Sequence, residues 1–69
     1  MEMKVTFDKQ ADAVYIYFKE ILEGEVTHTI SLNDTVNIDF DETGKTLGIE
    51  VLDATKNLPL EVIKQAIVI

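Results

Sequence analysis

The sequence predicts a small α+β domain, a five-stranded and mostly meandering antiparallel sheet with one C-terminal helix packed across a single face. Three observations lead to it. Apolar and polar residues alternate with period two through most of the chain up to Leu52, the signature of strands with one buried face. Turn-forming residues interrupt the alternation at Asp8–Asp12, Asn33–Asp34 and Asp41–Gly44. After Asp53 the period lengthens to the three-and-four spacing of a helix.

In the first strand Met3, Val5 and Phe7 alternate with Lys4, Thr6 and Asp8. The second, Ala13-Val14-Tyr15-Ile16-Tyr17-Phe18, is apolar or aromatic at every position, so both of its faces call for cover. Val14, Ile16 and Phe18 share one face, and Ala13, Tyr15 and Tyr17 share the other. Glu23-Gly24-Glu25 leads into a third strand with Val26, His28 and Ile30 on its apolar side. The fourth places Val36, Ile38 and Phe40 opposite Thr35, Asn37 and Asp39. Gly44 suits the positive φ of the following hairpin loop, and the fifth strand turns Leu47, Ile49 and Val51 inward. Pro59 favours the first turn of a helix beginning near Asn57 or Leu58, and Glu61 complements its dipole. Leu60, Ile63 and Ile67 form its docking stripe. The end of the chain, Ile67-Val68-Ile69, fits a strand, an exposed patch or continued helix equally well.

A chain of 69 residues predicts one domain over 1–69, small enough to bury only about 60% of its unfolded surface. It contains no cysteine, so neither a disulfide nor a thiolate metal site can reinforce the core. Met1 to Val5 show no basic segment leading into an apolar run, and no stretch reaches the ~20 apolar residues of a membrane span. The expected location is the cytoplasm. Six lysines face thirteen acids, for a net charge of -7, and arginine is absent. Nucleic-acid binding is therefore not expected, since phosphate contacts need a basic stripe and draw heavily on arginine. The acidity serves solubility, or else attracts a basic protein partner.

Asp39-x-Asp41-x-Thr43-Gly44 followed by Glu50 has the spacing of an EF-hand calcium loop. Its flanks are strands where an EF-hand has helices, and an Asp- and Gly-rich hairpin explains the same letters. Asp39, Asp41 and Glu50 are thus candidates only for a weak cation site. His28, the single histidine, suits a general base or simply a packed strand position. Ser31 lies three residues away on the opposite face, so no local Ser-His pair forms. Tyr15 and Tyr17 fit interface anchors or half-buried sheet residues. Gly48 fits a close backbone approach or a bulge.

The pattern Val5-Thr6-Phe7-Asp8-Lys9-Gln10-Ala11-Asp12-Ala13-Val14-Tyr15-Ile16, then Val36 to Gly44, then Leu47-Gly48-Ile49-Glu50-Val51-Leu52-Asp53-Ala54, resembles the small prokaryotic domain-of-unknown-function family numbered 2283. The resemblance runs from about Met3 to Lys56. It implies an antiparallel sheet with a C-terminal helical segment and no assigned activity, and it supplies no catalytic residues. Members are often encoded beside small toxin-like proteins, which implies an antitoxin-type role.

The expected function is that of a non-enzymatic protein-interaction module, antitoxin-like toward a small basic protein, with no cofactor. The alternative is a small-ligand or divalent-cation binder using the acidic hairpin. Strand two has more apolar surface than one short helix can cover. A homodimer is therefore expected, with Tyr15, Tyr17, Ile67 and Ile69 at its interface.

Overall fold

The computed structural model describes residues 3–69; Met1 and Glu2, part of the N-terminal segment read above, lie outside them. The elements in chain order are β1 (Lys4–Asp8), β2 (Ala13–Tyr17), β3 (His28–Ser31), β4 (Val36–Phe40), β5 (Thr46–Leu52), α1 (Ala54–Asn57), α2 (Leu60–Gln65) and β6 (Ile67–Val68). The α+β class holds, and the detail changes. The sheet is mixed, with six strands in the order β3-β4-β5-β2-β1-β6, because the apolar tail pairs in parallel with β1. It is also not one meander. A β1–β2 hairpin joins a β3–β4–β5 meander through the antiparallel β2–β5 pair, so the connection from Phe18 to Thr27 must cross over to the far edge.

Each hairpin turn is opened by a short side chain that accepts from the backbone ahead of it, the Asx device that sets a turn locally. Asp8 Oδ1 accepts from the N–H groups of Gln10 and Ala11. Asn33 Oδ1 accepts from those of Thr35 and Val36. Asp41 Oδ1 takes both the N–H and the hydroxyl of Thr43 and the N–H of Lys45, while Gly44 supplies the loop's positive φ of 88°.

Two short helices replace the single one expected. The first begins at Asp53, which adopts the left-handed conformation (φ 48°) and makes no side-chain cap of its own. Its cap comes from the first hairpin. The Asp12 carboxylate accepts from the Thr55 N–H at 3.1 Å and the Thr55 hydroxyl at 2.8 Å, and the Asp12 carbonyl accepts from the Ala54 N–H. Leu58 is extended and ends α1; Pro59 then starts α2 with Glu61 in its first turn. The expected stripe is only partly used. Ile63 packs on the core with Leu58 and Ala66, whereas Leu60 is exposed and Ile67 has left the helix for β6.

Register sorts the side chains into continuous rows across the sheet. On one face lie Ile30, Ile38, Ile49, Ile16 and Val5, all aliphatic, and beside them Val36, Val51, Val14, Phe7 and Val68. The helices cover the β1–β2 end of this face. Phe7, Val14 and Ala54 form the core there, with Val14 and Ala54 at 0% exposure. Burial then fades across the sheet until β3 is exposed at all four residues, so the apolar side expected for Val26, His28 and Ile30 is not covered, and Val26 precedes the strand.

Candidate functional site

The other face of the sheet is polar and closely bonded. One row runs Ser31, Asn37, Glu50, Tyr15, Thr6 and Ile67; the next runs Thr29, Asp39, Gly48, Tyr17 and Lys4. Because Gly48 has no side chain, the Tyr15 ring leans diagonally across it, and its hydroxyl donates to Asp39 Oδ2 at 2.5 Å. A Cβ at Gly48 would lie 2.7 Å from Tyr15 Cζ and closer still to Cε1 and Oη. Thr29 Oγ1 donates to the other Asp39 oxygen at 2.6 Å. In the neighbouring row the Ser31 hydroxyl donates to Asn37, whose amide donates to Glu50 Oε1 at 3.0 Å. Burial and the adjacent Asp39 carboxylate both hold the Tyr15 phenol well above its ordinary value, so it stays a neutral donor. The second ring, Tyr17, stacks at a tilt 4.6 Å from Tyr15 and carries the Lys4 ammonium 4.8 Å from its centroid.

Gly48 thus serves the close approach of the Tyr15 ring. A bulge lies beside it as well, since the β4–β5 register slips between Asp39 and Phe40. Tyr15 and Tyr17 are half-buried members of this polar lattice, Ile67 flanks it at the β6 edge, and Ile69 is exposed, with its N–H donating to Phe7 O.

Asp39, Asp41 and Glu50, the residues with calcium-loop spacing, have separate employments. Asp39 binds Tyr15 and Thr29, Asp41 closes its own turn, and Glu50 accepts from Asn37. No three His, Asp or Glu side chains among the described residues stand together as metal ligands.

Beyond the hairpin end the surface changes character. A shallow open groove of about 560 Å³ is lined by His28, Thr29, Ile30, Phe40, Glu42, Thr43 and Gly44. Ile30 and Phe40 bring the uncovered end of the apolar face into it, and Glu42 is its one acid. Next to it a smaller hollow of about 300 Å³ brings Glu25, Asp41 and Glu42 around Gly24 and Thr27. The Leu22 N–H and the Lys19 ammonium hold Glu25 below the usual carboxylate range. The Thr43 hydroxyl, with the Lys45 and Thr43 N–H groups, does the same for Asp41. Both acids remain charged, and no hydrogen bond or ion pair among the described residues engages Glu42. His28 sits at this groove with Nδ1 3.0 Å from the Thr27 hydroxyl, while Ser31 points to the polar face. The hollow was not foreseen from sequence, because Glu25 and Asp41 meet only through the long β2–β3 connection.

The chain belongs to the family of proteins of unknown function DUF2283, whose model matches residues 4–54, from the first residue of β1 to the first of α1. No curated protein and no solved structure matches it. Within the matched span, the stretch from Gly48 to Ala54 is architectural. Gly48 admits the Tyr15 ring, Asp53 turns the chain, and Ala54, which opens α1, is fully buried in the core with Phe7 and Val14.

Proposed function

We propose that this chain is a non-enzymatic interaction module that binds a basic protein through the groove at the hairpin end. The observation supporting this reading is an apolar groove that sets Ile30 and Phe40 beside Glu42, adjoined by an acidic hollow lined by Glu25, Asp41 and the same Glu42. An aliphatic or aromatic anchor on the partner would fill the groove, and flanking lysines or arginines would meet the acids, which steers encounter and selects against acidic competitors. The single histidine has its Nδ1 3.0 Å from the Thr27 hydroxyl, and no third group among the described residues hydrogen-bonds the imidazole to orient it as a base, so this pair is not read as a catalytic one. The cytoplasmic antitoxin-type role is the form this reading takes: neutralisation of a small basic protein. No helix among the described residues is long and apolar enough to cross a membrane.

Binding of a fluorescent peptide containing leucine and lysine, measured at low and high ionic strength, tests it. Glu42→Gln should weaken binding by up to about fivefold at low salt, the range of one exposed ion pair. Glu61→Gln removes the same charge from α2 and should leave binding unchanged. Equal losses in the two variants would reduce the effect to net charge and sink the groove.

A further inference from the structure

The geometry points to a two-fold dimer in which β3 pairs antiparallel with β3 of a second copy about Ile30, joining the two sheets edge to edge. It shares His28, Thr29 and Ile30 with the groove but is argued from the strand edge and not from the groove's acids.

The first reason is the unguarded edge. Natural sheets blunt their edges with lysine, proline, bulges or a covering loop. Here the edge strand reads His28-Thr29-Ile30-Ser31, with no lysine, proline or acid, and all four residues are exposed. Its inner bonds go to β4: the register pairs Ile30 with Ile38 and His28 with Phe40, and the Leu32 N–H donates to Val36 O. Alternation then turns the N–H and C=O groups of Thr29 and Ser31 outward. Pairing Thr29 with Ser31 of the second copy satisfies them and sets Ile30 against its own symmetry mate.

The second reason is what that register does to the apolar face. The aliphatic row Val5, Ile16, Ile49, Ile38, Ile30 is covered by helices at one end and open at the other, where Ile30 is 56% exposed. Under the two-fold, the row continues unbroken into the second copy. The residues brought into opposition are Ile with Ile, Thr with Ser and His28 with Leu32, so a chain of net charge -7 meets itself without facing carboxylates.

Area supports the same occupant. The chain exposes 4928 Å², whereas a folded monomer of its 7.8 kDa is expected to expose about 4,400 Å². The excess of about 500 Å² belongs to the whole surface and is smaller than the ~800 Å² that each partner contributes to a standard interface, in keeping with a short edge-to-edge contact. The opposite edge offers less: β6 is two residues long, and the next N–H, that of Ile69, already donates to Phe7 O. An isologous β3 pair also closes on itself, where β3-to-β6 pairing would propagate into fibres.

Light scattering at hundreds of micromolar should give twice the 7.8 kDa chain mass, and Ile30→Lys should return the single mass while keeping the circular dichroism of the folded chain. Since the chain has no cysteine, Ile30→Cys provides a second measurement that does not depend on that variant. At the two-fold position Ile30 faces its mate as a non-hydrogen-bonded pair, whose Cα atoms lie about 4.5 Å apart, within disulfide reach, so mild oxidation should link the copies, while Ile67→Cys should not link. A single mass for the unaltered chain overturns the proposal. So does a dimer that survives Ile30→Lys, or one that is trapped by Ile67→Cys in preference to Ile30→Cys.

Discussion

Replacing Gly48 by alanine isolates the contact that organises the polar face. Gly48 has no positive φ to protect, so alanine there would ordinarily stabilise by about 0.5 kcal/mol through the unfolded chain. Its Cβ instead enters the space of the Tyr15 ring, 2.7 Å from Cζ. The ring's far end can swing away, and the cost is what it leaves behind. The hydrogen bond to the Asp39 carboxylate is worth about 1.5 kcal/mol at a half-exposed site, and the tilted pairing with Tyr17 about 0.5 kcal/mol. Gly48→Ala is therefore expected to destabilise by about 1.5 kcal/mol in urea unfolding. In a Tyr15→Val background no ring obstructs the new methyl, and the same substitution should be neutral or stabilising, giving a coupling of about 2 kcal/mol. Spectroscopic titration supplies a second readout, since a displaced Tyr15 loses its carboxylate and should ionise nearer the ordinary value of about 10. An equal cost of Gly48→Ala with and without the ring would refute this account.

Val14→Ala, at a side chain with 0% exposure, should cost about 2–3 kcal/mol in chemical unfolding through lost transfer energy and a residual cavity. Asp12→Ala removes the cap supplied across the fold to α1 and should cost about 1 kcal/mol, with Asp12→Asn milder because it keeps an acceptor; the urea midpoint checks both. The raised Tyr15 value means that its stabilisation is intact below about pH 10, where the unfolded phenol is still protonated, and is lost as pH rises toward the higher folded value. Tyr15→Phe should therefore flatten the fall in stability as pH rises above about 10; an unchanged slope would place that proton elsewhere.

Period-two alternation made the strand faces legible, because it depends on neighbours within one strand. The rows Ile30 to Val5 and Val36 to Val68 follow from those faces once the register is known. Coverage was not legible. Val26, His28 and Ile30 have the parity of an inward set, yet parity states which residues share a face and not whether anything packs on it. The first helix escaped notice because Ala54-Thr55-Lys56-Asn57 is too short to show a period, and its cap arrives from Asp12, forty-three positions away. The parallel pairing of Ile67 and Val68 with β1 is a similarly distant event. For the polar face the legible clue was Gly48 in an otherwise well-formed strand. That Tyr15 fills the space above it depends on the β2–β5 register, which no local pattern encodes. The calcium-loop spacing misleads for a related reason, since alternation sends Asp39 and Glu50 into a strand lattice while Asp41 stays in its turn.

Reception of a basic partner at the hairpin-end groove can be followed through backbone amide signals in solution as the leucine- and lysine-containing peptide is added. The shifts should concentrate at His28, Ile30, Phe40, Glu42 and Gly44 and diminish as salt is raised. Shifts centred instead on Tyr15, Asp39 and Glu50, or spread evenly over the surface, would contradict it.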